Sequence, residues 1–338
     1  MSWSTATGGY RRDVPHGLMF HRFHGAPNPN GWQGALTSDE FEQILLYVGV
    51  DRILSPDEWL SRLEAGRLTG DDLCVTFDDG LRCQAEWALP VLERYRLQAF
   101  WFVYSCVADG IAVKGEIYSY VAGQIGGMPV LIKELLARCP AEMRRALASE
   151  EFRVYAAELL AVAPFYTEDD LKFRFLRNSP RTAPGFEELM DAIIAEHVKP
   201  AELIRQLWLE DADLKALAAA NHSIGLHSYD HPYAMADLTG DQQRAQYTMN
   251  QARLTAATGT PPWSMSHPLN SYNEDSLAVL QHLGIRCGFR ANLAPPAKAG
   301  VNPGPLEWAR EDSATLLQLV QHAPKPLNDQ PLRTLRTS

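Results

Sequence analysis

Two carboxylates stand side by side in the segment Thr76-Phe77-Asp78-Asp79-Gly80, directly after the apolar run Leu73–Phe77. The glycine permits a sharp exit from a strand, and such a turn can bring both side chains into one cleft. Adjacent carboxylates repel each other unless a cation neutralises them, so one could bind a metal while the other acts as a base. The alternative is an ordinary helix cap or turn, and the sequence Asp-Asp-Gly alone favours that alternative.

Two histidines four residues apart follow another apolar strand, in His227-Ser228-Tyr229-Asp230-His231-Pro232. They can face one cation if the loop takes a helical turn. One Asp and two imidazoles make an open three-ligand site of the kind that zinc occupies, with a position left for water. Structural hydrogen bonding accounts equally well for the two histidines alone, but together with Asp79 the metal interpretation becomes strong. Asp230 is either a partner that orients a ligand or a solvated side chain.

Repeated strand and helix patterns must position these motifs. Strands are predicted at residues 17–24, 73–77 and 99–105, with a short strand at residues 51–54, and the alternation resumes at about residue 223. Repeated βα units predict a parallel sheet, either open or closed into a barrel. In both folds chemistry collects at the carboxyl ends of the strands, which is where both motifs stand.

Helical patterns replace this alternation between the two motifs. We expect residues 107–221 to form a helical insertion within a single domain that spans residues 1–338. A Gly/Pro/Asn loop is expected before Gly34, and the polar tail after Pro324 is expected to fray.

The two motifs together resemble the polysaccharide deacetylase family, also called carbohydrate esterase family four. Thr-Phe-Asp-Asp-Gly is that family's first motif unchanged, and His-Ser-Tyr-Asp-His-Pro matches its second motif. The resemblance covers roughly residues 17–105 and 224–317. It implies an α/β fold, a distorted (β/α) barrel of about seven strands. It also implies that Asp78 is the general base and that Asp79, His227 and His231 hold the metal.

The third motif departs from the family pattern. Its usual form is Arg-Pro-Pro-Tyr-Gly, whereas Ser266-His267-Pro268-Leu269-Asn270 stands here and is closer to a version found in some bacterial members. The arginine that orients the base is therefore absent from its usual place. Arg310 resembles the arginine of a Pro-Arg-x-Asp segment in the same subgroup and could supply the charge. A purely structural ion pair is an equal alternative for Arg310.

The general acid has two candidates, because the family's late Leu-x-x-His motif has no clear counterpart. His24 closes the first predicted strand, where the family commonly has a histidine, and His267 ends a later strand. An imidazole needs little tuning to act as an acid near neutral pH. We prefer His24 slightly, and simple packing or substrate binding is an equal alternative for both. His322 is expected to lie on a solvated helix face.

The residues and the resemblance together predict a metal-dependent hydrolase that removes an acetyl or formyl group from an amino sugar. The expected cofactor is one divalent transition metal, with zinc preferred. The expected substrate is a small N-acylated sugar or sugar nucleotide, a precursor of a bacterial surface polysaccharide. Two alternatives remain: a hydrolase of a non-sugar amide such as a cyclic imide, and a non-catalytic carbohydrate-binding relative.

Composition limits the partners. The formal net charge of −10, with 41 acidic and 31 basic residues, argues against binding to nucleic acid or anionic membranes. The first residues have no signal-peptide pattern and no stretch reaches the length of a membrane span, so a cytoplasmic location is expected. Five scattered cysteines are expected to be free thiols. The sequence does not predict the oligomeric state.

Overall fold

A computed structural model describes residues 10–25, 34–162, 166–296 and 300–323. The loop predicted before Gly34 and the tail predicted after Pro324 lie outside the described residues.

The described residues contain seven short parallel strands that form one sheet. In chain order they are β1 (His16–Phe20), β2 (Leu73–Phe77), β3 (Phe100–Val103), β4 (Ser223–Leu226), β5 (Ser264–Ser266), β6 (Cys287–Phe289) and β7 (Arg310–Asp312). The order in the sheet is β6-β5-β4-β3-β2-β1-β7. Trp308 nearly closes this sheet, because its backbone N–H donates to Gly288 and its carbonyl accepts from Arg290. The predicted distorted (β/α) barrel of about seven strands is therefore confirmed.

Alternate residues of each strand face the barrel interior and the surrounding helices. On β2, Val75 and Phe77 belong to the apolar cluster beneath the helices, whereas Cys74 belongs to a cluster in the interior. The same alternation puts Asp78 on the interior side. The backbone N–H of Asp78 donates to the carbonyl of Phe20 at 3.1 Å, which extends the pairing with β1 by one residue. The strand register therefore aims Asp78 into the mouth of the barrel.

Fourteen α-helices lie in the described part of the chain. They are α1 (Ser38–Val48), α2 (Pro56–Glu64), α3 (Leu89–Tyr95), α4 (Lys114–Ile125), α5 (Met128–Arg138), α6 (Ala141–Leu147), α7 (Glu150–Val162), α8 (Glu168–Asn178), α9 (Ala183–His197), α10 (Pro200–Leu207), α11 (Asp211–Ala219), α12 (Gly240–Thr258), α13 (Glu274–His282) and α14 (Ser313–His322). Helix α1 is amphipathic, because its buried residues form one stripe that faces the barrel: Phe41, Ile44, Leu45 and Val48.

Two expected strands differ from the observed structure. The strand predicted at residues 51–54 is wrong, because Val50–Arg52 forms a 3₁₀ turn and Ile53 alone bridges to Leu73. The first strand ends at Phe20 rather than continuing to residue 24. That early end decides which of the histidines at residues 21 and 24 lies beside the barrel mouth.

Between β3 and β4 the chain builds a helical segment, which consists of α4–α11. Most of this segment has its own apolar core, in which Ile117, Leu131, Phe186 and Ile193 are almost completely buried, whereas α11 packs on the core of the barrel. Within the described residues between β3 and β4 there is no strand. The helical segment therefore packs as a second apolar unit beside the barrel mouth.

In the ranges that the structure describes, no helix combines the length and the apolar character that crossing a membrane requires. The five cysteines are free thiols in the structure.

Candidate active site

Asp79, His227 and His231 bring their ligand atoms to one place at the barrel mouth. These atoms all lie within 4.8 Å of one another. Nε2 of His227 is 3.5 Å from Oδ1 of Asp79, and Nε2 of His231 is 3.6 Å from the same oxygen. One carboxylate and two imidazoles form a donor set that suits zinc and other divalent transition metals. The residues therefore fit a single divalent cation.

The orientation of His227 supports this assignment. Its Nδ1 lies 2.9 Å from the backbone carbonyl of Ser266, and a carbonyl can only accept a hydrogen bond. Nδ1 therefore carries a proton, and Nε2, which faces Asp79, is the nitrogen that would bind a metal. Metal-binding histidines are commonly fixed in this way by a partner on the other ring nitrogen.

The backbone of the two motif loops is strained. Asp79, Ser228 and His231 have φ values of 77°, 64° and 57°, in the left-handed region that non-glycine residues avoid. Each such residue costs on the order of 1–3 kcal/mol, so the surroundings must hold it in place. Gly80 follows at φ 62°, and a side chain there would collide with Val103. The first motif therefore needs glycine at its last position.

A buried asparagine on α12 ties the loops together. Oδ1 of Asn250 accepts the backbone N–H of His227 at 3.0 Å. Its Nδ2 donates to the carbonyl of Val103 and to Oγ of Ser105, both at 2.9 Å. No motif points to Asn250. The only signal in the sequence is its spacing, because it lies on the buried stripe of α12 between Tyr247 and Leu254.

Asp78 is held by a bidentate ion pair with Arg310. Nη1 and Nη2 of Arg310 lie 2.7 and 2.8 Å from the two carboxylate oxygens. Oγ of Ser266 accepts a hydrogen bond from Arg310 at 2.7 Å and donates to Asp78 at 3.3 Å. Both charged side chains are buried. The third motif has no arginine at its usual position, and Arg310 provides an arginine beside Asp78 instead.

Both carboxylates are ionised at neutral pH. Burial by itself would raise the pKa of Asp78, but the charge of Arg310 and the neighbouring His227 more than offset it and lower that pKa. Burial would likewise raise the pKa of Asp79, yet contact with the His227 and His231 imidazoles holds it well below the ordinary value. Burial lowers the pKa of His231 to about 4. A neutral imidazole and an ionised carboxylate are the forms that bind a metal.

A cavity of about 860 Å³ opens above these residues. It is lined by the rim of the barrel on one side and by the helical segment on the other. Asp78, Asp79, His227, His231 and Arg310 all contribute to its wall. With His267, which also lines the cavity, the structure therefore brings six of the seven predicted site residues to one cleft.

The two predicted acids lie in different settings. His24 is not among the described residues that line the cavity, and its Nδ1 lies 2.9 Å from the carbonyl of Gly25. His267 lines the cavity, but its ring stacks on Tyr272 at 4.0 Å between centroids and its Nε2 donates to a backbone carbonyl. Burial lowers the pKa of His267 to about 3.

His21, and not His24, is the histidine of this segment that lies at the cavity. It lines the cavity, and its Nε2 lies 3.7 Å from Oδ2 of Asp78. Its side chain is 33% exposed, so a bound molecule could contact it.

Comparison with known proteins agrees with this geometry. Residues 191–288 match the family model described as polysaccharide deacetylase, a segment that includes His227 and His231. No curated protein sequence matches the chain.

Three solved structures share the fold at low sequence identity. Deacetylase PplD of Streptococcus pyogenes in complex with acetate has a TM-score of 0.52 and 16% identity, over 91% of this chain and 98% of that one. IcaB from Ammonifex degensii has a TM-score of 0.50 and 17% identity, over 92% and 98%. A de-N-acetylase from Aggregatibacter actinomycetemcomitans has a TM-score of 0.52 and 10% identity, over 91% and 100%. The matched segment is similar to the polysaccharide deacetylase family, and the whole chain shares its fold with these solved deacetylase structures.

Proposed function

We propose that this protein is a metal-dependent N-deacylase that hydrolyses the acylamide of an amino sugar. The observation that carries the proposal is the cluster of Asp79, His227 and His231 beside an ionised Asp78. Nε2 of His227 lies 4.0 Å from Oδ2 of Asp78, so a group held by the cluster is within reach of that carboxylate. The family and the fold support a deacetylase.

Asp79, His227 and His231 would hold the cation, and zinc is the metal that this donor set favours. A bound divalent cation supplies polarisation of the acyl carbonyl and a water of lowered pKa. The chain supplies the orientation of the ligands through the Ser266 carbonyl and the Asn250 side chain.

Asp78 would act as the general base, with Arg310 as its positioning residue. Arg310 keeps Asp78 ionised and fixes the plane of its carboxylate. The ionised carboxylate takes a proton from the attacking water. Ser266 adds a second contact to the same carboxylate and restricts its rotation further.

His21 is our candidate for the general acid. It lines the cavity next to Asp78 and is partly exposed, so it can reach the departing amine. His24 is not among the described residues that line this cavity, and burial keeps His267 neutral although its contact with a backbone carbonyl acts in the opposite direction. His24 and His267 therefore suit packing better than proton transfer.

The helical segment bears on the size of the substrate. We propose that residues 107–221 are an insertion whose helices form a wall of the cleft. Tyr118, Phe173 and Arg177 from this segment line the same cavity as the metal cluster. A cavity of about 860 Å³ lies within the range of small-ligand sites, roughly 300–1,000 Å³. It favours a small N-acylated sugar or sugar nucleotide, with an acetyl or formyl group, over a long polymer.

The test is a screen for released acetate or formate. Purified protein, with its metal measured by elemental analysis, is given N-acyl amino sugars, their nucleotide esters, chitin oligomers and a cyclic imide. We expect turnover of the small sugars, and expect it to stop on removal of the metal and return on addition of zinc. Efficient hydrolysis of the cyclic imide alone would replace the proposal with a non-sugar amidase. Absence of turnover on every compound by a metal-loaded protein would favour a non-catalytic relative.

A further inference from the structure

Most charged side chains that line the cleft are already neutralised by a partner. Lys114 pairs with Glu187 and Asp191, and Arg22 pairs with Glu116. Arg174 and Arg177 of α8 also line the cleft. Among the described residues, no carboxylate lies within ion-pair distance of either. The helical wall of the cleft therefore carries two guanidinium groups that form no ion pair with any described residue, and the nearby carboxylate of Asp170 is engaged in the capping box with Thr167.

Aromatic rings hold these two guanidinium groups in place. The guanidinium carbon of Arg174 lies 4.2 Å from the centroid of the Tyr166 ring. That of Arg177 lies 5.0 Å from Tyr233 and 6.0 Å from Phe173. Packing on a ring face occupies the flat side of a guanidinium and leaves its N–H edge for acceptors in the plane. The rings thus orient the groups without satisfying them. Nε of Arg177 donates to Oδ1 of Asn178 at 2.9 Å, so its terminal nitrogens are the donors that a ligand would meet.

The two arginines also act on each other. They are three residues apart on one helix and so share a face. Burial lowers the pKa of Arg177, and the neighbouring charge of Arg174 lowers it further. Two like charges held together are unfavourable until an anion lies between them. This effect is local, since the chain as a whole carries a formal charge of −10.

The arginine pair adjoins the proposed metal centre. Tyr233, which packs against Arg177, follows the candidate ligand His231 by only two residues. The pair and the metal cluster line one continuous cavity. A molecule with its acyl group at the metal cluster can therefore extend an anionic group towards α8.

We propose that Arg174 and Arg177 form a subsite for the phosphate or diphosphate group of a phosphorylated N-acyl amino sugar. This inference rests on the proposed deacylase function and specifies its substrate class. Two guanidinium groups match the several oxygens of a phosphate, whereas one bidentate guanidinium already satisfies a sugar carboxylate. The phosphate belongs either to a glycosyl phosphate or to a nucleoside diphosphate sugar.

The kinetic test compares four substrates: a neutral N-acyl amino sugar glycoside, its 1-phosphate, its nucleoside diphosphate ester and an N-acyl amino uronate. We expect wild-type kcat/KM to be higher for the phosphorylated sugars, mainly through KM. Arg174→Gln and Arg177→Gln should each reduce the ratio of phosphorylated to neutral kcat/KM by about 10- to 100-fold. Comparison of the 1-phosphate with the diphosphate ester distinguishes the two sources of the phosphate.

Lys172→Gln is the matched control, because it removes a positive charge from the same helix outside the cavity lining. Lys172 is partly buried and pairs with the exposed Glu168 one turn earlier on α8. This variant should retain the wild-type substrate ratio. Arg177→Lys, which keeps the charge but not the planar fork, should recover part of the loss. An equal fall in Lys172→Gln would mean that general helix charge, and not a subsite, sets the preference.

A binding measurement separates this inference from the proposed activity. Calorimetry with inorganic pyrophosphate should show affinity that falls at least about tenfold in the Arg174→Gln/Arg177→Gln double variant and declines with added salt. Unchanged affinity in a folded double variant would overturn the subsite. Turnover of neutral and phosphorylated sugars at equal efficiency, or preference for the uronate, would also overturn it while leaving the deacylase function intact. Pyrophosphate binding that depends on the pair, without turnover of any substrate, would support the anion subsite and count against the deacylase function.

Discussion

The barrel rim and the helical segment place their polar side chains differently. At the rim these side chains are buried and contact one another. In the helical segment the core is apolar, and polar side chains line the cleft. At the rim, Asp78, Asp79 and His227 are at most 6% exposed, and each has charged or hydrogen-bonding neighbours. In the helical segment the most deeply buried residues, such as Phe186 and Ile193, are apolar. The rim therefore fixes the relative positions of Asp78 and the candidate metal ligands. We expect that substitutions in the helical wall can change substrate preference without moving those ligands.

Backbone strain is also concentrated at the barrel rim rather than in the helical segment. Seven non-glycine residues of the described chain have positive φ. Five of them lie in the loops that follow β2, β4 and β5 at the barrel rim: Asp79, Ser228, His231, Leu269 and Asn270. In the described residues of α4–α11 there is none. Strained residues persist only where their surroundings over-determine them, and such residues cluster at functional sites. The barrel packing supplies that support at the rim.

Loss of a candidate ligand should produce the largest effect. In His231→Ala we expect bound metal, measured by elemental analysis, to fall to a small fraction of the wild-type content and deacylation to be lost. The exposed His282 provides the control, since His282→Ala removes an imidazole far from the rim loops. Equal metal content in His231→Ala and wild type would remove His231 from the ligand set.

Removal of the base should abolish most activity and spare the metal. Asp78→Asn keeps the shape of the side chain but cannot accept the proton, so turnover should fall about 10²–10⁴-fold. Metal content should remain close to wild type, because Asp78 is not one of the proposed ligands. Activity within a few-fold of wild type would show that Asp78 is a structural carboxylate.

Loss of the arginine beside the base should change the pH dependence. Arg310→Met leaves Asp78 buried without its partner, so the pKa of Asp78 should rise. Because the ionised form is the active one, the acid limb of the pH–rate profile should move to higher pH. Breaking a buried pair also costs about 3–5 kcal/mol in the free energy of unfolding.

The control for this variant is an exposed ion pair of the same residue types. Arg286 pairs with Glu64, and both side chains are about half exposed. Arg286→Met should cost no more than about 1 kcal/mol in denaturant unfolding and should leave the pH–rate profile in place. An unshifted acid limb in Arg310→Met would show that Arg310 does not tune Asp78.

The sequence predicted the barrel and the proximity of Asp79 to His227 because both depend on local patterns. Asp79 is the second residue after β2 and His227 is the first after β4, so their strands place them at the same rim. For Arg310 the sequence left two alternatives, an ion pair that orients the base or a merely structural pair. The observed contact with Asp78 joins residues 232 positions apart, a distance that no local pattern encodes.

Other features of the site depend on where elements end and on tertiary contacts. Alternation of apolar residues does not locate the end of β1, and the end at Phe20 places His21 rather than His24 at the cavity. The hydroxyl of Ser266 and the amide of Asn250 gain their roles only when β5 and α12 pack against the rim. Such side chains carry no motif, because serine and asparagine are common surface residues.

The smallest expected effect tests whether the helical segment is independent of the metal centre. Ile193→Val removes one methylene from the fully buried core of α9 and should lower the free energy of unfolding by about 0.5–1.5 kcal/mol. Ile224→Val makes the same change in β4, three residues before His227. Metal affinity in Ile193→Val, measured by competition with a chelator, should stay within about twofold of wild type, because distant sites act additively. A fall in affinity as large as that in Ile224→Val would mean that the helices help to position the ligands, and the division between a rigid rim and an adaptable wall would not hold.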